Sequence, residues 1–147
     1  MANRVPAITV LSVSPSRRDH EYLESILGRS KWRLHCASSC QEAWKILHQT
    51  PIDVIVTERS FPGGLNWRDL LDEVSAMKEI PPVIVTTRGV DGALWAEALS
   101  AGAFDLLPKP LDPDEVRRVI SLSWRGARDV RALKAFRRPE VAAAVAM

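Results

Sequence analysis

The sequence predicts an α/β domain built on a parallel sheet. Three observations lead there. A chain of 147 residues suits one domain with a real core. Short apolar runs alternate with helix-period segments along its length. Those runs are nearly continuous in apolar residues, as in strands covered on both faces.

Ile8-Thr9-Val10-Leu11-Ser12-Val13 reads as a buried first strand, and Ser16 to Leu27 as a helix with Tyr22, Leu23, Ile26 and Leu27 on one face, stopped at Gly28. Arg33 to Ala37 is a short second strand. Ser39 followed three residues later by Glu42 has the capping-box pattern, and the helix it opens turns Ala43, Ile46 and Leu47 inward before Pro51. Ile52 to Thr57 is the third strand, and Phe61-Pro62-Gly63-Gly64 a loop. Trp67, Leu70, Leu71 and Val74 mark a third helix. Val83 to Thr87 is the fourth strand, Ala93 to Ala101 a fourth helix closed by Gly102, and Phe104 to Leu107 a fifth strand. Asp112-Pro113-Asp114-Glu115 is the strongest helix start, with Asp at the N-cap and Pro at the first helical position. Val116, Val119, Ile120, Trp124, Ala127, Val130 and Leu133 carry that helix to about Arg138, before Pro139.

Five such units with right-handed crossovers fit the flavodoxin-like (βα)5 sandwich, strand order 2-1-3-4-5. Sites on such sheets lie outside the carboxyl ends of the strands. Here that edge collects Ser14, Pro15, Glu58, Thr87 and Lys109. His20, His35 and His48 are expected away from it.

Composition is that of an ordinary globular protein, 26% charged and 46% hydrophobic. No apolar run has the length of a membrane span, and Met1 to Pro6 lacks a signal peptide's apolar stretch, so a cytoplasmic location is expected. Cys36 and Cys40 make neither a disulfide framework nor a metal site and read as ordinary thiols. The net charge of +2 is uneven. In residues 125–138, six cations (Arg125, Arg128, Arg131, Lys134, Arg137, Arg138) oppose Asp129, so the segment carries +5 and the rest of the chain −3. The division expected is a domain over 1–125 and, over 126–147, a basic extension of the last helix with an Ala-rich tail from Val141 to Met147. The basic ridge reads first as a solvated helix end, where cations suit the dipole.

Several stretches resemble the receiver domains of two-component response regulators: Pro51-Ile52-Asp53-Val54-Ile55-Val56-Thr57-Glu58, Phe61-Pro62-Gly63, Pro82 to Thr87, and above all Ala101-Gly102-Ala103-Phe104-Asp105-Leu106-Leu107-Pro108-Lys109-Pro110. The wording is most similar to receivers of enhancer-binding activators, and the resemblance covers about residues 7–125. It implies signal transduction in a phosphorelay-type system. It also implies five working positions: two acidic residues after the first strand holding Mg²⁺, an Asp phosphoacceptor ending the third strand, a Thr or Ser after the fourth, and a Lys after the fifth. A carboxylate nucleophile needs cations to neutralise the incoming phosphoryl charge, with donors waiting where charge develops.

The chain departs from that pattern where the chemistry is decided. Ser14 and Pro15 stand at the acidic pair, so Mg²⁺ binding is expected to be lost and no cofactor is expected. Glu58 stands at the phosphoacceptor position. Thr87 and Lys109 remain as phosphate-contact positions, and Leu106 replaces the aromatic switch residue. Asp19 sits too far along the first helix to stand in for the pair. Glu is longer than Asp by about 1.5 Å. Its carboxylate could therefore imitate a phosphoryl group, held by Thr87 or Lys109. The resemblance makes Lys109-Pro110 a cis peptide. It makes Trp95, Leu106 and Trp124 candidates for an interface on the fourth helix, fifth strand and fifth helix, serving a homodimer or a protein partner such as a histidine kinase or an output protein.

The function expected is therefore phosphorylation-independent protein binding by an atypical receiver, not enzymatic. The alternative is a receiver that still accepts phosphate from a histidine kinase through Glu58 or another carboxylate. A small enzyme or nucleotide binder fares worse: the strand-end loops hold no P-loop, no G-x-G-x-x-G and no nucleophile triad. Direct nucleic-acid contact lacks aromatic interleaving or a DNA-binding helix pair.

Overall fold

The computed structural model describes residues 7–28, 30–89 and 92–136, with side chains as far as residue 130. Ten elements alternate: β1 (Thr9–Val13), α1 (Arg17–Leu27), β2 (Arg33–Ala37), α2 (Cys40–Gln49), β3 (Val54–Glu58), α3 (Trp67–Ser75), β4 (Val83–Thr87), α4 (Gly92–Ser100), β5 (Asp105–Pro108) and α5 (Pro113–Phe136). The strands form one parallel sheet in the order β2-β1-β3-β4-β5.

Successive strand side chains point to opposite faces, and the apolar strands feed two core layers. Leu11, Val13, Ile55, Val83, Val85 and Leu106 pack with Leu70, Val74, Leu94 and Ala98 from α3 and α4. Val10, Val54, Val56, Ile84 and Leu107 face the other way, against Leu23, Ile26 and Leu27 of α1 and Val116, Val119 and Ile120 of α5. Each such side chain contributes about 1.5–3 kcal/mol when fully buried.

Helix ends follow local chemistry. The Ser39 side chain accepts from the Glu42 N–H at 3.1 Å, but the Glu42 carboxylate takes the Ser38 hydroxyl, so only half of the expected box forms. The full capping box is at α3, between Asn66 and Asp69. At the end of α4, Gly102 has φ +106°, and its N–H and that of Ala103 bond back to Leu99 and Ala98 in a Schellman motif.

Three expectations are corrected. Tyr22 is 44% exposed and not inward, because its hydroxyl reaches the Leu111 carbonyl at 2.9 Å. Strand β3 starts at Val54, since the Asp53 side chain turns back to cap the Thr9 N–H, and it takes in Glu58. Phe61 is no bare loop residue. It is buried, and its N–H bonds to Leu65 while Trp67 bonds to Arg59, which pins the segment after Glu58. Helix α5 runs 24 residues within the described range. The side chains of Arg131 and Lys134, residues Arg137 and Arg138, and the Val141–Met147 tail lie outside the described residues.

Candidate functional site

Parallel strands bring the ends of β1, β3, β4 and β5 to one edge. Ser14, Pro15, Glu58, Thr87 and Lys109 line a single cleft there of about 450 Å³, together with Asp19, Arg59 and Arg88. At its centre is the Lys109 ammonium, whose side chain is only 11% exposed. It bonds Asp19 Oδ2 at 2.8 Å and, more closely still, Glu58 Oε2. The backbone N–H of Lys109 bonds the Thr87 carbonyl at 2.8 Å, and the Lys109–Pro110 peptide is cis. The second Glu58 oxygen accepts the Arg59 N–H at 3.0 Å.

The carboxylate that shares Lys109 is the residue expected to sit too far away. Asp19 is the third residue of α1, and from there its side chain reaches back over the helix start. The Ser14 hydroxyl donates to its Oδ2 at 2.7 Å and accepts the Ser16 N–H at 3.1 Å. Burial alone would raise the Asp19 carboxyl; the hydrogen bonds from Lys109 and Ser14, with the nearby Lys109 and His20 charges, hold it below its ordinary value. Burial likewise would lower the Lys109 ammonium, and the bonds and charges of Asp19 and Glu58 raise it instead.

His20 is also corrected. It packs against the strand edge, with Nε2 2.9 Å from the Ser14 carbonyl and Nδ1 2.9 Å from the Ser12 hydroxyl. A carbonyl only accepts, so Nε2 carries a proton and donates to it, while Nδ1 shares a hydrogen bond with the Ser12 hydroxyl. His20 thus ties α1 to the end of β1 and sets where Asp19 points. His48 bonds the Trp44 carbonyl in α2, and His35 lies on β2, opposite Leu11.

Thr87 does not reach Glu58. It is buried, and its hydroxyl points to the Gly89 carbonyl at 3.4 Å, a weak bond at best. Nor do the three interface candidates form one patch. Leu106 is 1% exposed, because strand alternation turns it into the core under α4; it is not a surface residue. Trp124 is half-buried against the core layer of α1 and α5, with the Arg128 guanidinium 4.7 Å above its ring. Trp95 is 40% exposed on α4, in the opposite layer.

The model of the response regulator receiver domain family matches residues 10–121. The chain belongs to that family. PilR, a response regulator protein of Pseudomonas aeruginosa, is 34% identical over 107 residues, covering 71% of this chain and 23% of PilR. The two-component response regulator ORR7 of Oryza sativa subsp. japonica is 31% identical over 115 residues, covering 76% of this chain and 54% of ORR7. The chain thus spans about a quarter of the first relative and about half of the second. The signal receiver domain of an HD domain-containing protein from Pseudomonas fluorescens Pf-5 shares its fold, with a TM-score of 0.78 over 90% of this chain and 97% of that one at 20% identity.

This receiver domain has a donor set that does not fit the magnesium site its family implies. Mg²⁺ asks for oxygen ligands in tight octahedral geometry, usually one or two carboxylates with waters and phosphate oxygens. Just after β1, Ser14 and Pro15 bring to the cleft a hydroxyl and a pyrrolidine ring, and no carboxylate. The two carboxylates at hand, Asp19 and Glu58, both face one ammonium. Among the described residues, no three His, Cys, Asp or Glu cluster as a metal site, and no helix is long and apolar enough to cross a membrane. Cys36 and Cys40 are free thiols, both raised above their ordinary value chiefly by burial.

Proposed function

We propose that this chain is an atypical receiver that works by binding protein partners without phosphoryl transfer. The observation that carries this reading is the shared lysine. In the family's reaction, Lys109 would pair with the arriving phosphoryl group; here Asp19 and Glu58 already neutralise it. Lys109 is the one cation ion-paired with Glu58 among the described residues, and the other Glu58 oxygen is engaged by the Arg59 N–H. The Glu58–Lys109 contact imitates part of a phosphorylated state, with one charge where a phosphoryl group brings about −1.5 to −2. The Thr87 contact that would complete the imitation is not made. The sheet edge is held in one arrangement and does not switch.

The partner is a histidine kinase or an output protein, met in the cytoplasm. Trp95 and Leu99, four residues apart on α4 and each 40% exposed, offer the apolar contact. Neither a metal cofactor nor direct nucleic-acid binding belongs to this reading.

The test is to incubate the protein with Mg²⁺ and acetyl phosphate and weigh it intact, while a parallel Mg²⁺ titration is followed by backbone NMR. The mass should stay unchanged, and shifts around Ser14, Asp19 and Glu58 should not saturate below millimolar Mg²⁺. A hydroxylamine-labile phosphoryl adduct on Glu58 or Asp19 would instead establish the phosphoacceptor alternative.

A further inference from the structure

Beside the site, α1, the end of β4 and the β5–α5 loop enclose a second cleft of about 450 Å³. We propose that it binds a small phosphorylated ligand with a flat organic body, of the nucleoside diphosphate class. This goes beyond the partner-binding reading and does not depend on it.

The volume lies within the range of about 300–1,000 Å³ found for small-molecule sites. Its rim is basic. Arg18 from the first turn of α1 and Arg88 from just after β4 both line it, both are exposed, and neither has an ion-pair partner among the described residues. Arg17, Arg68 and Arg117, by contrast, each pair with a carboxylate. Among the described residues, the only carboxylate lining this cleft is Asp19, which Lys109 neutralises. Arg18 and Arg88 thus bring two guanidinium groups from separate elements to one cleft, and an anion bound there would give both a partner. A phosphate or diphosphate suits them best, because a guanidinium presents paired donors that match phosphate oxygens.

The rest of the lining is largely apolar: Tyr22, one turn along α1 from Arg18, with Pro110 and Leu111. The Tyr22 hydroxyl donates to the Leu111 carbonyl at 2.9 Å, so the ring is fixed across the gap between α1 and the β5–α5 loop while remaining 44% exposed. A ring already held in place loses little freedom when a planar group stacks on it. The cleft therefore joins two guanidinium groups to an aromatic face held by a hydrogen bond. Pyrophosphate alone would use the first, and a nucleoside diphosphate would use both.

The test is isothermal titration calorimetry of the full chain with ADP, pyrophosphate and adenosine. ADP should bind saturably at micromolar to submillimolar concentration, pyrophosphate about tenfold more weakly, and adenosine not measurably. Arg18→Ala and Arg88→Ala should each weaken ADP and pyrophosphate about tenfold. Tyr22→Ala should bring ADP down to the affinity of pyrophosphate and leave pyrophosphate unchanged. Absence of saturable binding by both ADP and pyrophosphate would overturn the proposal, as would unchanged affinity in both arginine variants. Equal affinity of the unaltered protein for ADP and pyrophosphate would overturn the assignment to a ligand with an organic body.

Discussion

Asp19 from α1 and Glu58 from the end of β3 each direct an oxygen at the Lys109 ammonium, and the balance among these three charges governs how the edge responds to mutation and to pH. Replacing Lys109 with Met leaves two carboxylates facing each other without their cation. The expected loss near pH 7 is about 2 kcal/mol, below the roughly 3–5 kcal/mol of a fully buried pair, because Asp19 and Glu58 keep 26% and 17% side-chain exposure. The pH dependence has a definite sign. The Asp19 carboxyl is held below its unfolded value of 3.8, so its contribution is present above that value and is lost as pH falls through the lower, folded one. Lys109 is held above 10.5, so its contribution is present below that value and is lost as pH rises through the higher, folded one. In Lys109→Met, protonation relieves the repulsion of the two acids. The stability gap to the unaltered protein, read from urea midpoints, should narrow between about pH 7 and about pH 3. A constant gap would place Lys109 outside the network. The five residues expected at this edge, Ser14, Pro15, Glu58, Thr87 and Lys109, do line one cleft, and their place there was legible from motif position alone. Asp19 was not, because its reach depends on the helix start and not on its distance along the helix. The available signal was its place as the third helical residue, from which an acid turns back over the N-terminus, as Asp69 does at Asn66.

Helices and strands were legible wherever an apolar period was strong. All four inward positions of α3 are buried as expected, and the order of the sheet follows from the strict alternation of elements. Boundaries and loops were not, because side chains that pair with backbone set them: Asp53 delays β3, and the Tyr22 hydroxyl draws its ring out of the α1 core stripe. The loop from Arg59 to Asn66 was the largest omission. Phe61 plugs it into the core, a short bridge joins Ser60 to Asn66, and Asn66 caps α3 through the N–H groups of Arg68 and Asp69. This loop holds the Arg59 N–H that engages Glu58. Asn66→Ala removes the side-chain half of the capping box, leaving the Asp69 carboxylate on the backbone N–H of position 66, and should cost about 1 kcal/mol, up to about 2. The urea midpoint should fall with an unchanged slope. A fall much under about 0.5 kcal/mol would mean that the Phe61 contact, and not the cap, fixes the loop.

At the scale of the whole molecule, the two core layers take in most of the large apolar side chains of the helices; Trp95 and Leu99 on α4 stay exposed, as do Tyr22 on α1 and Leu122 and Val130 on α5. Leu94 and Ala98 anchor α4 to the sheet, 4% and 0% exposed. Trp95 and Leu99 are the residues next along the chain, so they are turned away from that anchor and leave an indole and an isobutyl group side by side in solvent. Trp124, by contrast, is taken up by its own core layer and by Arg128, and contributes no such surface. A helix that exposes this pair is suited to a symmetric contact in which one copy's α4 packs against its partner's. The expected outcome is a concentration-dependent dimer in sedimentation velocity. Trp95→Ala with Leu99→Ala should weaken it by at least about 2 kcal/mol, or about thirtyfold in dissociation constant. Because neither side chain is in the core, the urea midpoint should move by no more than about 0.5 kcal/mol. Trp124→Ala should show the opposite pattern, losing stability through the α1–α5 layer while the dimer constant holds. A dimer unaffected by the α4 pair but broken by Trp124→Ala would move the contact to α5.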